Sequence, residues 1–168
     1  MQKSDLQTET SSFVDRYPQF VEAIIKQKED LFWTEKEIDL NNELLKAIKE
    51  DIVKEAIIAR KNRAIGFCLV TAGTGLDDKR LDYVCRAADA VHKAVPDISL
   101  IACNGIASYE QLKELKKHGI ENYNHNLETA REFYNEICTT HSWDDRYETC
   151  LNAKKAGLYL CTGGIFGL

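Results

Sequence analysis

The chain has 168 residues, is 44% apolar and 29% charged, and carries a formal net charge of −5. That is enough for one ordinary domain of globular rather than disordered composition. No Lys/Arg cluster points to a nucleic-acid partner, and no apolar run approaches the roughly 18 residues of a membrane span. The start Met1-Gln2-Lys3-Ser4-Asp5 has no signal-peptide core, so a cytoplasmic protein is expected.

In chain order, 2–12 is polar and reads as frayed. Residues 13–45 read as helical in two pieces, with Phe20, Ile24, Leu31 and Phe32 near helical spacing and a capping-box pair, Thr34 and Glu37, between them. Leu44, Ile48, Ile52 and Ala56 recur every fourth residue and predict a helix over 40–61. From Ala64 the pattern alternates. Strands are expected over 64–71, 99–103, 121–127 and 158–162. Between them, helices are expected over 77–95, from Ser108 to Gly119, from Thr129 (with Glu132 as its capping partner), and from Ser142 to Gly157.

Strands alternating with helices predict a parallel sheet with helices outside. The expected fold class is α/β: a partial (β/α)8 TIM-type barrel of about four parallel strands over 51–168, preceded by a helical segment over 1–50. A complete barrel needs roughly 200 residues or more, and this chain stops just after a strand and a glycine pair, so a truncated barrel is expected.

In a parallel barrel, chemistry sits at the C-terminal strand ends. There the sequence places Cys68, Cys103, Cys161 and the run Tyr123-Asn124-His125-Asn126-Leu127-Glu128. Alternation puts Asn124, Asn126 and Glu128 on one face, and three polar side chains at one strand end favour a site over packing. Three strand cysteines on one interior suit a metal or cluster, while buried cysteine is also common in strands. Cys85 and Cys150 fall on apolar helix faces and read as core. Cys138 is left to packing, His92 and His118 read as solvated, His125 reads as a packing residue, and His141 has no role assigned.

The string Tyr123-Asn124-His125-Asn126-Leu127-Glu128-Thr129 resembles the YNHNLDT signature of the biotin synthase family. Cys138-Thr139-Thr140-His141, Asp145-Arg146 and Cys161-Thr162-Gly163-Gly164-Ile165-Phe166-Gly167-Leu168 resemble later segments of that family. Ala64 to Gly73 and Ile101 to Gly105 match upstream ones. The resemblance implies a radical S-adenosylmethionine enzyme that inserts sulfur into dethiobiotin, with a [4Fe-4S] cluster, a sulfur-donating [2Fe-2S] cluster, a flavodoxin-type electron donor and a homodimer. By position, Cys68, Cys103 and Cys161 match the [2Fe-2S] ligands. Asn124 and Asn126 match dethiobiotin contacts, and Asn126, Glu128, Arg146 and Ile165 match contacts to S-adenosylmethionine. A guanidinium fork suits a carboxylate partner at Arg146.

The departures are specific. No cysteine precedes Cys68, so the family's C-x-x-x-C-x-x-C loop is absent, as is the arginine completing the [2Fe-2S] site. Glu128 stands where Asp is commoner. An inactive fragment, or a thiol-rich α/β binding module, are the alternative expectations. Arg16 to Phe20 with Leu31 to Leu40 resembles the start of a ribonucleotide reductase small subunit.

Overall fold

The computed structural model describes residues 35–167, with side chains from residue 46 onward. Of the helical pieces expected over 13–45, residues 13–34 lie outside the described residues and 35–45 are helical. The chain divides into two compact units, Met1–Glu50 and Asp51–Leu168. Helix α1 (Glu35–Lys61) contributes its first part to one unit and its last turns to the other. It begins earlier than the expected Leu40. It ends where Arg63 takes a φ of +67°, a left-handed turn that breaks the helical ladder.

The second unit is a four-stranded parallel sheet in sequential order: β1 (Gly66–Val70), β2 (Ser99–Cys103), β3 (Ile120–Asn124) and β4 (Tyr159–Cys161). Helices α2 (Asp78–Ala94), α3 (Tyr109–Lys117) and α5 (Trp143–Lys155) precede β2, β3 and β4, and a single turn, α4 (Tyr134–Ile137), lies before α5. This is the α/β half-barrel architecture expected from the alternating pattern.

The caps explain where the helices start. Asp77 accepts from the Arg80 amide at 2.8 Å. Ser108 and Gln111 form a reciprocal capping box, as do Ser142 and Asp145, each satisfying two backbone N–H groups that the first turn leaves free. The Thr129–Glu132 pair opens no helix, contrary to the sequence expectation. Glu128 has a φ of +66°, and the Thr129 carbonyl accepts from the Trp143 indole at 3.1 Å instead of from a following helical amide.

Leu69, Leu100, Ala102 and Tyr123 point to the helices and are buried. They meet Ala56 of α1, Val84, Ala88 and Val91 of α2, Leu112 and Leu115 of α3, and Ala153 of α5. Each of the leucines and valines among them contributes roughly 1.5–3 kcal/mol by leaving water, and each alanine methyl roughly 0.8 kcal/mol. The opposite face of the sheet has no helix over it among the described residues. It carries Val70 and Tyr159, 67% and 76% exposed.

Strand β3 corrects a simple alternation. Leu100 pairs with Ile120 and Ile101 with Asn122, so Glu121 is an extra residue. Strict alternation back from Tyr123 would turn Ile120 out of the core, and the bulge returns it there at 1% exposure. The strand also ends at Asn124, short of the expected Leu127. Beyond it the backbone stays beside the chain following β4, with the amides of His125 and Leu127 donating to the carbonyls of Cys161 and Gly163, both at 2.9 Å.

Candidate active site at the strand ends

Cys68, Cys103, Asn124 and Cys161 share the face of the sheet turned away from the helices. Cys68 is level with Ile101, Cys103 with Val70, and Asn124 with Cys161. The Cys68 thiol is held above its ordinary range, first by partial burial and then by the negative charge that Cys103 and Cys161 would carry as thiolates. Among the described residues no three His, Cys, Asp or Glu side chains close around a single metal ion. The thiols are spread over β1, β2 and β4, with strands about 4.8 Å apart. Soft donors spread along one face suit a multi-iron sulfide cluster better than a single ion. The remaining cysteines offer no second cluster loop: Cys85 and Cys150 are buried on α2 and α5, and Cys138 follows α4.

Past Asn124 the chain turns at Glu128, whose carbonyl accepts from the Ile165 amide at 2.6 Å. Gly163 lies beside the Asn126 amide oxygen, where a Cβ would come within 3.8 Å. Ile165 and Phe166 are exposed. Arg146, in the first turns of α5, ties these segments together. Its Nη1 donates to the Asn126 carbonyl at 2.7 Å and lies 3.3 Å from the Glu128 carboxylate. Asn126, Glu128, Arg146 and Ile165 thus form one corner, and Asn124 lies next to it on the sheet face.

A second set of contacts runs behind Arg146, and nothing in the sequence reading assigned it. The Arg146 Nε–H donates to the Tyr134 hydroxyl at 2.7 Å and lies 3.1 Å from His141 Nε2. Arginine can only donate, so His141 Nε2 acts as an acceptor, and the Tyr134 hydroxyl lies 2.9 Å from it. His141 Nδ1–H is then left to donate to Thr140 Oγ1 at 2.9 Å, and the Thr140 hydroxyl donates to Cys138 Sγ at 3.5 Å. The signal for this chain was a Cys-x-x-His spacing with a tyrosine four residues upstream of the cysteine.

Cys138 is accordingly not a packing residue, contrary to the sequence expectation. Hydrogen bonds, first from Thr140, lower its thiol to about 7. Burial raises Cys85 to about 11 and also raises Cys150. Alkylation with iodoacetamide at pH 7 should therefore label Cys138 well ahead of Cys85, Cys150 and Cys68. Peptide mass spectrometry over a time course reads that order, and labelling of Cys68 before Cys138 would contradict it. His118 also departs from the solvated reading: it lies 2.9 Å from the Asp89 carboxylate and 3.5 Å from Glu114.

His125 is 5% exposed, and Nε2 finds no hydrogen-bond partner among the described residues. Burial, and then the positive charge of Arg146, lowers it from 6.5 to about 4. A depressed histidine is neutral when folded and gains a proton on unfolding, so its contribution is present above pH 6.5 and lost as pH falls towards 4. The loss should be ~2 kcal/mol after allowing for screening. Urea unfolding of wild type and His125→Gln at pH 7, 5.5 and 4.5 checks it: the difference between the two should shrink with acid.

Asn104 was also unassigned. It is 1% exposed, and its amide donates to the Leu69 carbonyl at 3.3 Å and to Thr71 Oγ1 at 3.1 Å, fastening the exit of β1 to that of β2.

Comparison with known proteins places this geometry. The profile described as Radical SAM superfamily matches residues 40–168. The chain is 95% identical over 119 residues to the biotin synthase of Aliarcobacter butzleri, an alignment covering 71% of this chain and 42% of that protein. It is 71% identical over 119 residues to the biotin synthase of a Nitratiruptor species, covering 71% of this chain and 43% of that one. The chain thus spans about two fifths of the length of these curated relatives. Among solved structures it is similar in fold to the FeFe-hydrogenase maturase HydG from Carboxydothermus hydrogenoformans. The TM-score is 0.61 at 24% identity, covering 70% of this chain and 28% of that one.

Proposed function

Because the chain belongs to the radical SAM superfamily, we propose that residues 51–168 are the part of a biotin synthase that holds the sulfur-donating cluster and one side of the substrate pocket. The reaction served is replacement of two C–H bonds of dethiobiotin by C–S bonds, giving biotin. The observation that carries this reading is the 95% identity to a biotin synthase over 119 residues, supported by three thiols on one sheet face.

In this reading Cys68, Cys103 and Cys161 hold a [2Fe-2S] cluster, which when bound supplies sulfide as the sulfur source. Asn124 and Asn126 present amide donors and acceptors to dethiobiotin. Glu128 accepts from the ribose hydroxyls of S-adenosylmethionine. Arg146 keeps one guanidinium edge on the Asn126 carbonyl and Glu128, and can offer another to a carboxylate. Ile165 gives an apolar surface to the adenine. A [4Fe-4S] cluster does not fit the cysteines present, so this chain by itself holds cluster and substrate without completing the catalyst. A cytoplasmic location, a flavodoxin-type electron donor and a homodimer belong to the same reading of the whole enzyme.

The test is anaerobic reconstitution with iron and sulfide. Bound iron should fall by at least half in each of Cys68→Ser, Cys103→Ser and Cys161→Ser, and stay level in Cys138→Ser. Iron binding indifferent to all three strand cysteines would overturn the assignment.

A further inference from the structure

The sulfur of Cys138 is surrounded by hydrogen-bonding groups. The Thr140 hydroxyl lies 3.5 Å from it, and the two ring nitrogens of His141 lie 3.6 and 3.9 Å away. The Tyr134 hydroxyl and the backbone amides of Thr140 and His141 act in the same direction, as donors to a thiolate. The contacts behind them run one way. The Arg146 Nε–H points at the Tyr134 hydroxyl and His141 Nε2, His141 Nδ1–H donates to Thr140, and Thr140 donates to Cys138. A cation stands at one end and a sulfur at the other, so every link favours negative charge on the sulfur. The whole arrangement is built within residues 134–146.

The sulfur also has room beside it for a second molecule. A depression of about 390 Å³ is bordered by Cys138 and His141 together with Asn135, Thr139, Thr140 and Ser142. Its rim is polar, an amide and three hydroxyls, which suits a small polar reagent rather than an apolar one. Cys85 and Cys150, by contrast, are buried against the sheet.

We propose that Cys138 is a site of reversible exchange with small polar disulfides, and that the adduct releases Arg146 from His141 and Tyr134. The Cys138 thiolate attacks one sulfur of the reagent. The new S–S bond forms as the old one breaks, and the departing thiolate takes a proton from water. Cys138 is oxidised and that half of the reagent is reduced, so no other oxidant takes part. A second small thiol reverses the step. The added sulfur sits about 2.05 Å from Sγ, in the space through which Thr140, Tyr134 and His141 reach it. It also removes the charge to which they donate. With no anion at its far end, the relay loses its direction, and the Arg146 Nε–H is freed to exchange with water. Arg146 is the guanidinium assigned above to a carboxylate, so the consequence for the reaction rests on that reading. The exchange itself concerns only contacts within this chain.

Incubation of the full chain with glutathione disulfide at pH 7, with no other thiol present, tests both parts. Peptide mass spectrometry over a time course should find the adduct on Cys138 at least fivefold faster than on Cys85 or Cys150. Thr140→Val keeps the branched side chain and loses the hydroxyl. It should slow the Cys138 adduct about threefold, less than the loss of thiolate alone, because a more basic thiolate attacks faster. Thr140→Ser should return the rate to within twofold of wild type. Thr140 is exposed, so neither substitution disturbs the core. A Cys138 rate indifferent to Thr140→Val overturns the site, as does an adduct that forms first on Cys85 or Cys150. Nitrogen-15 magnetic resonance reads the second part. The Arg146 Nε–H signal, identified by its loss in Arg146→Lys, should exchange with water at least fivefold faster in the adduct and slow again on reduction. Unchanged exchange overturns the coupling. Neither measurement involves a cluster or S-adenosylmethionine, so this proposal and the reading of the site as part of a biotin synthase fail separately.

Discussion

Replacing Tyr123 with alanine should destabilise the 51–168 unit by ~4 kcal/mol, the scale for deleting a buried aromatic ring. Tyr123 is fully buried, and its position on β3 touches the helix layer and the strand exits together. Its hydroxyl donates to the Gly105 carbonyl at 2.7 Å, and burial keeps the phenol well above its ordinary range. Gly105 itself has a φ of +78°, and a Cβ there would collide with the Thr74 carbonyl, so the loop it anchors has little room to relax into a cavity. Phenylalanine separates the two contributions. Tyr123→Phe keeps the ring and loses one hydrogen bond, for ~1 kcal/mol. Urea unfolding of the three proteins at pH 7 measures both; equal losses in the two variants would place the whole effect on the hydroxyl.

Reduced and reconstituted, the 168-residue chain should release no 5′-deoxyadenosine from S-adenosylmethionine above a protein-free control. Reductive cleavage in this superfamily needs a [4Fe-4S] cluster held by a compact cysteine loop. No cysteine precedes Cys68, and the three not on strands are separated by 53 and 12 residues. Cys85 and Cys150 are also buried in the helix layer, where a cluster would displace core side chains. Chromatographic detection of 5′-deoxyadenosine in proportion to protein would show that the chain assembles a cleaving cluster from these cysteines. Bound iron without 5′-deoxyadenosine is the expected pattern.

The helix starts at Ser108 and Ser142 were readable because what marks them lies within a few residues: a hydroxyl and a following helical stretch, with Gln111 as a capping partner at the first. Thr129 and Glu132 have the same spacing and fail, because the left-handed turn at Glu128 and the Trp143 indole engage that backbone first. Neither influence is local in sequence. The β3 bulge escaped notice for a related reason. Ile120-Glu121-Asn122-Tyr123 alternates plausibly either way, and only packing against Leu100 selects the version with an extra residue. At the site, strand parity placed Asn124, Asn126 and Glu128 together, and the family resemblance brought in Arg146. The run from Arg146 through Tyr134 and His141 to Cys138 was hidden. It depends on α5 folding back over the α4 turn, which no spacing in the sequence specifies.

The sequential order of the sheet has a consequence for how the molecule is made. Every strand pairs with the strand just before it in the chain, so no pairing waits for a distant partner. As the polypeptide leaves the ribosome, α1 with β1 forms a platform, and each later helix and strand adds to an edge already present. Closing loops of a few tens of residues, one at a time, keeps the entropic cost of each step small.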